Sequence, residues 1–300
     1  MSAASRLLLA FALCLSVPAG ARTWKEVFPI PAQRTLTVAS EGVTVLLTPQ
    51  PYPEETDGTE DELDDSYEDV IVEVQFPGLP PYRVPRDEAR ESIYGISVGI
   101  GRLASGDTAP VVMLGGYSGG AHCCTTLQVV SLVDGHAVTT GLPLRDGEIA
   151  DSFPRDVDGD GTVDIRWSDD SLLYAFTSYA GSRAVPRFYN LRQGRLVDVS
   201  REGGFAREYR SFARKALRDC REDDVENSSA CAAYAYALAI QGRAEEGIRT
   251  AAELANDPLW YPVDCTVQRV EDQCPEGKER AFTGFEDALR WLMRQNGYLP

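Results

Sequence analysis

From Thr35 to about Ser200, short runs rich in apolar and β-branched residues are separated by turn-forming pairs. Short runs of this composition, bounded by turn signals, predict strands. They are Thr35 to Ala39, Val43 to Thr48, Val70 to Phe76, Tyr94 to Ile100, Pro110 to Gly115, Thr125 to Val133, Val163 to Trp167, Leu172 to Phe176, Arg187 to Leu191 and Leu196 to Val199. The turns Val133-Asp134-Gly135-His136 and Arg192-Gln193-Gly194-Arg195 are short enough to close hairpins, which implies antiparallel pairing.

Beyond Arg201 the period becomes helical. Phe205, Tyr209, Phe212, Ala213, Ala216, Leu217 and Cys220 recur at spacings of three and four and share one face. Cys231, Tyr234, Ala235 and Leu238 begin a second such face behind the capping candidates Asn227, Ser228 and Ser229. A third helix is expected over Ala244 to Leu254. A fourth starts at Thr283, with Glu286 completing a capping box, and buries Phe285, Leu289, Leu292 and Met293. The pattern predicts an α+β chain: an antiparallel β domain over 22–200, built as a partial propeller or an irregular sandwich, then a small helical domain over 201–300. Tyr234 to Ile248 faintly resembles one tetratricopeptide helix pair, although such repeats need about three neighbours to close a core.

The first 21 residues change the picture, because Arg6, the apolar run Leu7 to Val17 and the small-residue ending Ala19-Gly20-Ala21 form a signal peptide with cleavage expected after Ala21. No segment reaches the ~18 uninterrupted apolar residues of a membrane span. The expected address is the periplasm or the extracellular space of a bacterium. A net charge of −17 argues against nucleic acid as a partner and favours cations. Of seven cysteines, Cys14 lies in the leader, and the remaining six can pair in an oxidising compartment. Spacing groups them as Cys123 with Cys124, Cys220 with Cys231, and Cys265 with Cys274, with other connectivities open. Cys220 and Cys231 are placed to staple two helices. Residues 54–69 contain ten acids among sixteen residues and are expected to form a flexible loop, because like charges repel and little apolar surface offsets the ordering entropy.

The segment Gly116-Tyr117-Ser118-Gly119-Gly120 fits the G-x-S-x-G elbow of serine hydrolases. An elbow needs a helix after the serine, whereas Thr125 to Val133 has the composition of a strand. A catalytic histidine is also missing where the known chain orders require it: beyond the leader only His122 and His136 occur, both just downstream of Ser118. The bland alternative is a structural turn in which Gly115, Gly116, Gly119 and Gly120 let the chain reverse. Zinc at His122, Cys123 and Cys124 is disfavoured, since adjacent cysteines rarely turn both sulfurs to one tetrahedral ion.

Asp156-Val157-Asp158-Gly159-Asp160-Gly161-Thr162-Val163-Asp164 carries the sharpest chemistry. Carboxylates at alternate positions converge on a hard cation, Gly161 allows the bend, and Thr162 offers its carbonyl, as calcium's six to eight oxygen ligands require. The loop departs from an EF-hand at its twelfth position, where Trp167 replaces the bidentate glutamate. Asp169 or Asp170 is a candidate to replace that ligand. A D-x-D-x-D-G-x-x-D loop running into a strand resembles the FG-GAP/VCBS-type calcium-binding repeat of exported proteins, here as one copy covering roughly Ile149 to Phe176. The resemblance implies Asp156, Asp158, Asp160 and Asp164 as ligands of a structural Ca2+.

These readings combine into an exported, calcium-stabilised, non-enzymatic protein that binds a protein or envelope component or scaffolds the envelope. The alternatives are a hydrolase, using Ser118 or a metal-dependent phosphoesterase centre at the acidic loop, and a tetratricopeptide-like interaction module.

Overall fold

The computed structural model describes residues 23–27, 35–51, 67–86, 96–104, 106–117, 125–146, 153–222, 227–268 and 274–300. Expectations for the leader, for residues 54–66 of the acidic segment, and for Ser118, His122, Cys123 and Cys124 lie outside them.

Three antiparallel sheets are stacked and capped by helices. The first sheet joins β2 (Leu36–Ser40), β3 (Val43–Pro51), β4 (Tyr67–Gln75) and β5 (Tyr82–Arg83) in sequential order. The middle sheet orders β1 (Thr23–Val27), β6 (Ile96–Gly101), β7 (Val111–Tyr117), β8 (Thr125–Val133) and β9 (His136–Arg145). The third contains β10 (Ile165–Asp169), β11 (Val185–Arg192) and β12 (Arg195–Asp198). The hairpin turns follow from sequence: Glu41-Gly42, Asp134-Gly135 and Gln193-Gly194 all hold positive φ at both positions, the conformation that matches strand twist in two-residue hairpins. Gly194 has a second constraint, because a Cβ there would sit 3.0 Å from Val138 Cγ2, so its turn lies against the β8–β9 hairpin.

Period-two alternation explains the stacking. In β7, Val112 and Leu114 join Val45, Leu47, Val72, Val74, Val98 and Ile100 in the core beneath the first sheet. Val111 and Met113 point the other way and meet Leu127, Val129, Val163, Ile165 and Trp167, the core between the middle and third sheets. The middle sheet is therefore buried on both faces. That is why β7 reads as a near-continuous apolar run, each such side chain contributing about 1.5–3 kcal/mol on burial.

The third sheet turns its far side to the helices. Phe188 stacks on Phe205 at 4.4 Å between ring centroids and meets Tyr209 edge-on. The helices α1 (Ala206–Cys220), α2 (Asn227–Ile240), α3 (Ala244–Leu254) and α4 (Phe285–Gln295) share one core with Leu172, Phe176, Val185 and Val199. The expected boundary near residue 200 falls inside that core. The sequence pattern gives the second helix one apolar face, but the helix is buried at every position from Asn227 to Ile240. Its many alanines let α1 and α3 approach from both sides, and a helix without a polar face belongs in a core. Disulfides join Cys220 to Cys231 and Cys265 to Cys274. The first staples α1 to α2.

Several local expectations change. Leu172 to Phe176 is a series of turns rather than a strand: Asp169 accepts the Ser171 N–H at 3.0 Å, Leu173 N–H bonds Asp170 O, and Tyr174 holds a φ of 56°. Gly115 and Gly116 are not in a turn but inside β7, paired to β6 and β8. Tyr67, Glu68 and Asp69, assigned to the flexible loop, begin β4. The last helix begins at Phe285 rather than Thr283, and Asp287, not Glu286, reaches back to the Thr283 N–H at 3.2 Å. Strands β1, β5 and β9 were not expected.

Candidate metal centre

The loop from Asp156 to Asp164 enters β10, and its fold is dictated by its own carboxylates. Asp156 accepts the N–H groups of Gly159 at 2.7 Å and Gly161 at 3.0 Å. Asp158 accepts the Asp160 N–H at 3.1 Å, and Asp160 accepts the Thr162 N–H at 2.7 Å. Each acid thus bends the backbone around itself, as Asp does wherever its short side chain can reach an amide two or three residues on. Gly159 and Gly161 take φ values of 84° and 90°, which only glycine adopts without strain.

The loop is held from three sides. Thr162 bridges to Ala104, and Val163 N–H donates to Leu103 O at 2.7 Å, tying it to the segment after β6. Asn190 of β11 donates to Asp164 Oδ1 at 2.7 Å and to Val163 O at 3.2 Å. Asp158 lies against Gly204, where a Cβ would overlap its carboxylate. The loop therefore sits where the middle sheet, the third sheet and the start of α1 converge.

Asp156, Asp158 and Asp164 each present a carboxylate oxygen, and these atoms lie within 4.8 Å of one another. Asp164 is buried, at 2 % exposure, and its Oδ2 accepts the Val157 N–H at 2.7 Å. Among the described residues none of the three carboxylates is ion-paired to an arginine or lysine. Two like charges at this separation repel by about 1 kcal/mol even in bulk water, and by more where water is excluded. Burial pushes the Asp158 carboxyl above the usual carboxylate range, neighbouring Asp160, Asp164 and Asp156 add to the rise, and the Asp160 N–H opposes it. A hard divalent cation relieves this repulsion, and an all-oxygen donor set suits Ca2+.

Of the five ligands expected from sequence, Asp156, Asp158 and Asp164 come together. Asp160 is exposed and turned to the Thr162 amide, and the Thr162 backbone is engaged with the Leu103–Ala104 segment. Asp169 and Asp170 do not supply a further ligand: Asp169 Oδ2 accepts the Tyr298 hydroxyl at 2.5 Å and Asp170 Oδ2 accepts the Asp146 N–H at 2.6 Å. Asn190 and Gly204 complete the surroundings of the loop, and sequence reasoning missed both. Their only sequence signals are a polar residue at a buried strand position and a Gly-Gly pair before a helix.

The strands flanking Ser118 pair directly, Tyr117 with Thr125, so the segment between them links two antiparallel strands. Among the described residues, Asn190, Gly204 and backbone amides meet the carboxylates of the acidic cluster.

No family model matches the chain. It is similar to a probable thylakoid lumen protein of Synechocystis, with 30% identity over 197 residues that cover 63% of this chain and 57% of that protein. It is also similar to an uncharacterised protein of Sinorhizobium fredii, with 27% identity over 194 residues, 63% of this chain and 30% of that protein. The matched part thus spans little more than half of one curated relative and less than a third of the other. A solved structure of a Xanthomonas type IV secretion system related protein aligns at 13% identity over 60% of this chain and 99% of that one, with a TM-score of 0.19, too low to relate the folds.

Proposed function

We propose that the chain is an exported, non-enzymatic binding or envelope-scaffolding protein whose layers are locked together by a structural Ca2+ in an FG-GAP/VCBS-like loop. The observation that carries this reading is the convergence of Asp156, Asp158 and Asp164, none of them ion-paired among the described residues, at the seam between two sheets and the helices. Asp156, Asp158 and Asp164 would hold the ion, with Asp160 and the Thr162 carbonyl as the remaining candidates. The ion supplies positive charge to three repelling carboxylates. The protein's own residues do the rest: Asn190 and the Val157 amide orient Asp164, and Gly204 leaves room for Asp158.

Export is supported by the leader-like first 21 residues, by two disulfides, and by a relative whose name places it in a thylakoid lumen, a compartment that proteins reach across a membrane. No helix among the described residues is long and apolar enough to cross a membrane. The test is a Ca2+ titration of the thermal midpoint. The midpoint should rise with log[Ca2+] above the dissociation constant, and a midpoint indifferent to Ca2+ and to chelator would overturn the reading.

A further inference from the structure

At one end of the core between the middle and third sheets, the apolar interior opens into a cleft of about 910 Å3. Its walls are Leu103, Val111, Leu132, Leu191 and Val197, three of which belong to or pack on that interlayer core. Its rim is made by the two hairpin turns that Gly194 brings together, and Thr162 of the acidic loop lines it too. The volume lies within the range of small-molecule sites, about 300–1,000 Å3.

One buried group in the cleft lacks the partner that such groups normally have, and one exposed cation beside it is free of an ion pair among the described residues. Ser131 is 4 % exposed, yet its hydroxyl makes no hydrogen bond. A buried hydroxyl left unpaired costs about 1–3 kcal/mol, so its place in the wall of an opening points to a partner from outside. Arg195 lines the same cleft and forms no ion pair among the described residues, whereas its cross-strand neighbour Arg192 is held by Glu202 through two bonds of 2.9 Å. Asp134, at the other turn, carries the opposing charge.

We infer that this cleft is a binding site for a small amphipathic anion, its apolar body between the sheets and its carboxylate or sulfonate head at Arg195, with Ser131 donating a hydrogen bond within. The chain's net charge of −17 does not exclude such a ligand. Charges farther than a Debye length, about 8 Å at physiological ionic strength, are screened, and Arg195 acts at contact. The inference deepens the binding reading and is independent of the cation, so the Ca2+ titration and the test below can fail separately.

The probe is anilinonaphthalene sulfonate, titrated into the full mature protein with and without Ca2+ and followed by fluorescence. One saturable site is expected. Arg195→Gln should weaken it about fivefold, the equivalent of about 1 kcal/mol, and Asp134→Asn should tighten it about twofold. Val197→Trp, at a position 37 % exposed and thus tolerant of size, should close the cleft and abolish binding. Octanoate should displace the probe and octanol should not. Emission that does not saturate, or an affinity unchanged by both Arg195→Gln and Val197→Trp, overturns the site. Displacement by octanol as strong as by octanoate overturns the anionic head.

Discussion

Replacing Asp158 by asparagine should stabilise the protein without calcium and destabilise it with calcium. Asn is nearly isosteric and keeps an acceptor for the Asp160 N–H, so the loop's hydrogen bonds survive. Without the ion, the substitution removes the repulsion of Asp158 with Asp156 and Asp164, whose oxygens lie within 4.8 Å. Each pair costs about 1 kcal/mol in water, and solvent screening reduces the gain to roughly 1 kcal/mol in all. The pKa direction agrees. A carboxyl raised in the folded state contributes stability that is present below its unfolded pKa and lost as pH rises through the folded pKa, so ionised Asp158 is a liability at neutral pH. With Ca2+ at about a hundred times its dissociation constant, the native protein gains about 2.7 kcal/mol, most of which the variant forgoes. At about 2–4 °C per kcal/mol for a chain of this size, the midpoint should rise by about 3 °C in chelator and fall by about 5 °C in Ca2+. Calorimetry of both proteins in both buffers reads the four values. A shift of the same sign in both buffers would refute the reasoning.

Three further outcomes follow from named contacts. Cys220→Ala with Cys231→Ala opens a loop with a sequence separation of 11 and should cost about 3 kcal/mol in urea unfolding, a loss below about 1 kcal/mol showing that α1 and α2 hold without the staple. Asn190→Leu leaves buried Asp164 without its side-chain donor and should cost about 2 kcal/mol by the same assay, along with weaker Ca2+ binding. Burial raises the Asp170 carboxyl to about 6, so its contribution is present below the unfolded value of about 4 and lost as pH rises through about 6. Asp170→Asn should therefore raise the midpoint near pH 8 and leave it unchanged near pH 4, and an equal rise at both would count against burial as the cause.

Much of the fold was legible because it is written in local chemistry. Val43, Val45 and Leu47 alternate with partly exposed residues and become one buried face, and the turns Asp134-Gly135 and Gln193-Gly194 close the hairpins that their sequences specify. Errors arose where local and tertiary signals part. Leu172 and Phe176 are fully buried, but they reach the helical core from a chain of turns that apolar content alone does not distinguish from a strand. His136–Arg145 is hard to read as a strand because Gly141 and Pro143 interrupt it and every residue but Leu142 is partly or fully exposed. The acidic loop was legible because its carboxylates lie at alternate positions. Asn190 and Gly204 were not, since they reach the loop only through the packing of β11 and the turn before α1.

Equilibrium dialysis or native mass spectrometry of the purified protein measures the central claim most directly. The account predicts one tightly held Ca2+ per chain, displaced by chelator and lost in Asp158→Asn. A chain that retains no Ca2+ at millimolar concentration, or that binds it equally well in the variant, would contradict it.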